Sequence, residues 1–341
     1  MSDLQKLAEG ILAVLQKAMP RAMDIRLADL QRTFGGNARQ AWSFELAWQE
    51  EGVGHTLPCI FLSQVPGRHV DTDIEMEFGV LKGLTGKGLR TPAAIALDPE
   101  GSVTGGPAII MERVEGKADA VAFLKDQTGG SSLKLTQELA AITAALHNVD
   151  WAQTGLQPEG NSAKSAVIAQ IEEWENTFIR HRQEPQPAMA YLFSWMKQHA
   201  PEPAKLSLVH GDLRPGNFLY DAKGITSLLD WEMAHIGDPL EDIAWIYRAL
   251  WSPEKFLSLD EFMVLYEKHS GRKASRRNLI FYRIFSEMKF AAISVTASHS
   301  VASGQSSNMR HADRAAKIPE CLRLCFEWID SENWEVADAA A

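Results

Sequence analysis

The stretch LVHGDLRPGNFLYD, residues 208–221, gathers His210, Gly211, Asp212 and Asn217 in one short segment. Pro215 and Gly216 bend the chain between Asp212 and Asn217, so both side chains can converge on one point from a loop. A second acid follows. Asp230 closes FLYDAKGITSLLD, 218–230, which reads as a hairpin turning at 221–224. A polar turn stitched by Asx hydrogen bonds would explain the loop's Asp and Asn, but not the second acid at the return of the hairpin. A carboxylate to take a proton, with an amide and another carboxylate to hold Mg²⁺, is what phosphoryl transfer needs. A hard divalent cation wants few protein oxygens and keeps phosphates and water as its other ligands. His210 reads as a brace for the loop rather than a proton carrier.

Composition leaves room for that chemistry and excludes others. The chain has 341 residues, 45% hydrophobic and 23% charged, as in a folded globular protein large enough for two lobes. A formal net charge of -10 gives no electrostatic grip on nucleic-acid phosphates or on an anionic membrane surface, so a small molecule is the expected partner. Cys59, Cys321 and Cys325 lack the paired spacing of a zinc site and read as core residues in a reducing compartment. With no export signal and no bilayer-length apolar run, the expected location is the cytoplasm.

Hydrophobic period divides the chain into two regions. Leu4, Leu7, Ile11, Val14 and Leu15 give an N-terminal helix within 1–20. LADLQRTFGGNARQAWSFELAW, 27–48, reads as a strand into Phe34, a turn at Gly35 and Gly36, and a strand on which Trp42, Phe44, Leu46 and Trp48 alternate. A third strand over 57–62, a helix over 72–84 and two strands around a turn at 99–102 complete a five-stranded sheet. From Gly116 the pattern turns helical, with helices over 133–150, 165–182 and 187–199, then further helices to Trp334 and a frayed tail. A β-rich lobe joined to an α-rich lobe predicts a cleft between them.

Together with LLDWEMAHIGDPLEDIAW, 228–245, and LHNVDW, 146–151, the opening stretch resembles the aminoglycoside/choline phosphotransferase family of small-molecule kinases, and within it the branch related to the kinase portions of acyl-CoA dehydrogenase fusions. The resemblance runs from Phe34 to Trp245. It implies an α+β, protein-kinase-like, two-lobed fold: a nucleotide-binding lobe over 1–113 with an antiparallel five-stranded sheet, and a mainly helical lobe over 114–341 with the catalytic loop and substrate site. It implies ATP and Mg²⁺ as cofactors and a small hydroxyl compound as acceptor. Asp212 falls on the catalytic base, and Asn217 and Asp230 on the metal ligands. Gly211 stands where protein kinases carry the Arg of H-R-D.

The same resemblance assigns the nucleotide end. Gly35 and Gly36 occupy the phosphate-covering turn, or else form a plain hairpin turn, with Arg39 close enough to help. Glu77, or Glu75, is the helical acid that pairs with a third-strand cation. On that strand, however, CIFLSQVPG offers Ser63 or Gln64 instead of Lys or Arg, and Arg39 or Arg68 is the substitute. Met111 falls at the back of the adenine pocket, with Glu112, Arg113 and Val114 offering main-chain groups. In GDPLED, Asp238 and Glu241 read as a capping box with Pro239 in the first turn. Asp242 faces inward to hold the loop or stays a helix-face acid, and His147 reads as a partner of Asp150. Glu172, Glu173 and Glu175 around Trp174 form an acidic, aromatic wall for a cationic acceptor, or a solvated helix face. Set against an ATP- and Mg²⁺-dependent kinase of a small alcohol is a kinase-like nucleotide-binding protein weakened by loss of the third-strand cation.

Overall fold

The computed structural model describes residues 3–33, 39–64 and 73–330. Phe34, Gly35, Gly36, Arg68 and the C-terminal tail lie outside the described residues. In chain order the elements are α1 (Asp3–Ala18), β1 (Met23–Thr33), β2 (Arg39–Glu50), β3 (Val53–Gln64), α2 (Ile74–Leu84), β4 (Ala94–Asp98), β5 (Ala108–Glu112), α3 (Ala120–Leu124), α4 (Ser132–Asn148), α5 (Ala163–His181) and α6 (Pro187–His199). They continue with β6 (Ser207–Val209), β7 (Phe218–Tyr220), β8 (Ile225–Leu228), β9 (His235–Gly237), α7 (Leu240–Ile246), α8 (Leu259–Ser270), α9 (Arg276–Ala302), α10 (Met309–Asp313) and α11 (Ile318–Asp330).

Two compact units share these elements. The first comprises residues 1–118, 150–156 and 217–233, and the second 119–149, 157–216 and 234–341. In the first, a five-stranded antiparallel sheet has the order β1-β2-β3-β5-β4. The alternation along β2 buries Trp42, Phe44 and Leu46 on one face, where Cys59, Phe61 and Ile110 join Ile11 and Leu15 of α1 in a single core. Arg39, Ala41 and Ser43 therefore occupy the opposite face. The strands run longer than the turn signals suggest, β1 over 23–33 and β3 over 53–64, because their outer ends carry exposed polar residues that periodicity does not mark.

Helix α2 begins where Asp73 accepts hydrogen bonds from the N–H groups of Glu75 and Met76, and it packs on the 3₁₀ turn at Trp151–Gln153. The approach is tight: a Cβ at Gly83 would lie 2.5 Å from the carbonyl oxygen of Gln153. Gly83→Ala should therefore destabilise the first unit by about 1–3 kcal/mol, read as a lowered denaturation midpoint. The β7–β8 hairpin belongs to this unit. Leu228 N–H donates to the Arg90 carbonyl at 2.7 Å, Thr226 Oγ1 donates to the Glu115 carbonyl at 2.7 Å, and Lys117 exchanges backbone hydrogen bonds with Tyr220.

The second unit is built around α9, 27 residues long and buried on almost every side from Ile280 to Val295. A helix buried on nearly every side is a core helix, and α5, α7 and α11 pack against it. Cys321 and Cys325 are buried free thiols of α11 and Cys59 is one in the sheet core, as their spacing predicts. The pair β6–β9 is antiparallel, with Leu208 opposite Ile236. It fixes the segment entering the loop at 210 against the segment leading to Asp238. Among the described residues no helix is long and apolar enough to cross a membrane.

Candidate active site

In the second unit the loop after β6 is clamped at the backbone of its first three residues. Asp242, on the buried helix α7, accepts the N–H of His210 at 2.8 Å and of Gly211 at 2.9 Å. Lys289 Nζ, on α9, donates to the Gly211 carbonyl at 2.6 Å. Gly211 has φ +81°, a left-handed conformation that an Arg side chain would strain, which explains the glycine at this position. The ring of His210 accepts the N–H of Asp212 at 3.3 Å, so this histidine does brace the loop. Leu213 is fully buried beneath it.

The carboxylate of Asp212 is fixed through one oxygen. Trp245 Nε1 donates to Oδ1 at 2.7 Å and Arg214 Nε donates to the same oxygen at 3.0 Å. Neither contact is visible in the sequence reading. Trp245 lies 33 residues downstream, and Arg214, two positions after Asp212, carries a signal only once the loop conformation is known.

Around the clamp sit buried polar contacts that correct two expectations. His147 pairs with Asp242, Nε2 to Oδ2 at 3.1 Å, and its Nδ1 meets the Tyr266 hydroxyl at 2.9 Å. Asp150 instead caps the 3₁₀ turn by accepting from Ala152 N–H. Burial pushes the His147 pKa down, so the ring is neutral and donates to Asp242. Burial also acts to raise Asp242, but His147 and the loop amides outweigh it and keep it ionised. The capping box is likewise absent. Asp238 does accept the N–H of Leu240 at 2.9 Å, but Glu241 turns to Lys289 at 2.9 Å and His235 at 3.2 Å, because the buried ammonium of Lys289 needs a carboxylate more than a backbone amide does.

Asp238 is 3% exposed, and burial raises its pKa to about 6. The folded carboxyl thus favours its neutral form. Its contribution to stability is complete below the unfolded pKa near 3.8 and is lost as pH rises through about 6. Asp238→Asn keeps an acceptor for Leu240. It should gain up to about 3 kcal/mol over wild type at pH 7.5 and nothing at pH 4, measured by denaturant unfolding at the two pH values.

In the first unit the third-strand problem has a direct answer. Arg39, at the start of β2, places Nη2 2.8 Å from Glu77 Oε2 and 3.0 Å from Glu232 Oε2. Glu77 is 2% exposed, so this cation compensates a buried acid. Burial lowers the Arg39 pKa, but the charges of Glu77, Glu232 and Asp230 more than reverse that. The register sets Arg39 opposite Gln64 and puts Ser63 on the α1 face. There the Ser63 hydroxyl bonds Thr104 and the carbonyls of Gln64 and Gly106. The structure therefore brings Arg39, not Ser63, to Glu77. Glu232 was missed as a partner, although it stands two residues beyond Asp230.

Asn217, 5% exposed, and Asp230 lie at the ends of the β7–β8 hairpin, where Leu229 N–H donates to the Asn217 carbonyl at 2.8 Å. Asp230 adopts φ +69°, a conformation that Asp tolerates better than most residues, which turns the chain directly after the strand. Among the described residues no group of three or more His, Cys, Asp or Glu side chains could hold a metal alone. Two hard oxygen donors nonetheless fit Mg²⁺, which takes few protein ligands when phosphates supply the rest.

At the other end of the sheet, Met111 is buried on β5 between Ile60 and Ala94. The N–H of Glu112 is spent on the Ala93 carbonyl at 2.9 Å and that of Arg113 on Pro58 at 2.8 Å. Of the main-chain groups that Glu112, Arg113 and Val114 offer, the N–H of Val114 makes no backbone hydrogen bond among the described residues. In the second unit, Glu172 and Glu173 are exposed and Glu175 pairs with Lys197 at 2.6 Å, so the acidic run is a solvated helix face.

Comparison with known proteins bears on the fold and the relationships of the chain. The profile of the phosphotransferase enzyme family matches residues 37–272. Acyl-CoA dehydrogenase family member 10 of Mus musculus is 25% identical over 291 residues, covering 80% of this chain and 27% of that protein. The chain thus spans about a quarter to a third of the length of the curated relatives it matches. Among solved structures, a Ralstonia eutropha chain classed with the aminoglycoside phosphotransferases superposes with TM-score 0.68 at 24% identity, over 93% of this chain and 97% of that one. A thermostable variant of aminoglycoside phosphotransferase APH(4)-Ia, in ternary complex with ADP and hygromycin B, gives TM-score 0.61 at 16% identity, over 89% and 95%.

Proposed function

Because this chain belongs to the phosphotransferase enzyme family and has the protein-kinase-like fold, we propose that it transfers the γ-phosphate of ATP to a hydroxyl of a small molecule, with Asp212 as the base. The observation that carries the reading is the fixing of one Asp212 oxygen by Trp245 and Arg214 on a loop that Asp242 and Lys289 hold still. Such a carboxylate aims its other oxygen at an incoming hydroxyl without reorganising. As the hydroxyl oxygen bonds to the γ-phosphorus, its proton passes to Asp212 and ADP departs with the bridging oxygen. Asn217 and Asp230 would hold Mg²⁺, whose charge would offset that building on the phosphates.

Arg39 bears on the choice between a kinase and a weakened nucleotide-binding protein. A cation on Glu77 is what phosphate binding needs, and here it comes from β2 instead of β3. That supports transfer. A mass-spectrometric screen of small alcohols with ATP should return phosphorylated product that chelation of Mg²⁺ by EDTA abolishes. ATP hydrolysis without any acceptor would instead indicate a hydrolase, and nucleotide binding with no product from any alcohol would favour the weakened protein.

A further inference from the structure

Beside Asp212, the second unit holds an arginine cluster that the fixing of the base does not account for. Arg248 lies flat on Phe290, its Cζ 3.6 Å from the ring centroid, with Trp251 at 5.2 Å. Arg314 covers Phe290 at 5.1 Å, and Arg214 reaches Trp251 at 5.4 Å while hydrogen bonding Asp212. Two acids pair with this group, Asp212 with Arg214 and Glu287 with Arg248 at 2.8 Å. Among the described residues Arg314 makes no ion pair. Its pKa is lowered by burial and by the neighbouring charges of Arg214 and Arg248, so the cations repel one another.

Arg248 provides an independent sign. It is 8% exposed, and its Nε and Nη1 are buried with no hydrogen-bond partner, while Nη2 serves Glu287 and Cys321. Ring stacking supports the guanidinium plane but leaves the in-plane N–H groups unmet, and an unmet buried donor carries a desolvation penalty. A planar fork of donors matches an oxyanion. Nearby features disfavour a cationic ligand, since Lys289 already sits 5.3 Å over the Trp174 ring.

We propose that Arg248 and Arg314 bind a carboxylate or phosphate group of the acceptor, so that the acceptor is a small hydroxylated anion. This rests on the kinase reading, because Arg214 connects the cluster to Asp212. Calorimetry with glycerate, glycerol 3-phosphate, glycerol and choline, each in the presence of saturating AMP-PNP, tests it. Phosphate transfer from ATP is measured on the same preparations, and thermal melting confirms that each variant is folded. The expected result is salt-sensitive binding of glycerate or glycerol 3-phosphate, with the better of the two naming the oxyanion. Arg314→Glu should weaken it by at least about tenfold, and the milder Arg248→Lys should also weaken it. The proposal is overturned if neither anion binds, if AMP-PNP excludes them, if glycerol or choline binds as well, or if Arg314→Glu binds unchanged. Anion binding without transfer would sink the kinase reading and leave the oxyanion site standing. Transfer to glycerol or choline that Arg314→Glu leaves untouched would do the reverse.

Discussion

Asp212→Asn should lower kcat for phosphate transfer by about 10³-fold while leaving the melting temperature and nucleotide affinity close to wild type. Asparagine keeps an oxygen where Trp245 and Arg214 donate at 2.7 and 3.0 Å, so the loop has no reason to move. What it loses is the ability to take a proton from the acceptor. The loss should therefore appear in kcat rather than in either substrate's KM. A variant with wild-type turnover on every acceptor would show that Asp212 is not the base. A variant with a large KM rise would show that the side chain binds the acceptor instead.

Arg39→Ala has the other large expected effect, and it should appear in two measurements. Glu77 is 2% exposed and faces Arg39 at 2.8 Å, so truncation leaves a buried carboxylate without its countercharge. Breaking such a pair costs about 3 kcal/mol or more. The double variant Arg39→Ala/Glu77→Ala should recover part of that stability, because the stranded charge is gone. Catalysis should not recover. With the cation proposed to meet the phosphates absent, kcat/KM for ATP should fall by about 10²- to 10³-fold in both variants. An Arg39→Ala enzyme with unchanged kcat/KM for ATP would place the phosphate-binding cation elsewhere.

How much of this was legible follows from what kind of pattern each feature leaves in the chain. The sheet and the helices leave periodicity, and Trp42, Phe44 and Leu46 announced their buried face. The candidate loop was legible because its residues are local: a fixed spacing from His210 to Asn217 and a hairpin returning at Asp230. Contacts between distant residues leave no such trace. His147 and Asp242 are 95 residues apart, and a nearer acid, Asp150, was the natural but wrong partner. That Arg39 reaches Glu77 depends on the register of β2 on β3, and a one-residue slip would turn it to the α1 face. The face of Asp242 was undecided for the same reason, since α7 is too short to define an amphipathic stripe and is buried all round.

The origin of the Arg39 charge on β2 has a further consequence for what this position can tolerate. To meet acids on both α2 and the segment after β8, Arg39 uses one terminal nitrogen, Nη2, at the far end of its long side chain. Lysine offers a single ammonium on a shorter stem, so the customary exchange between the two basic residues is not neutral here. Relatives that keep a hydroxyl at the third-strand position should then show arginine, not lysine, at the start of the second strand, and a search keyed to a lysine on the third strand would discard them as defective.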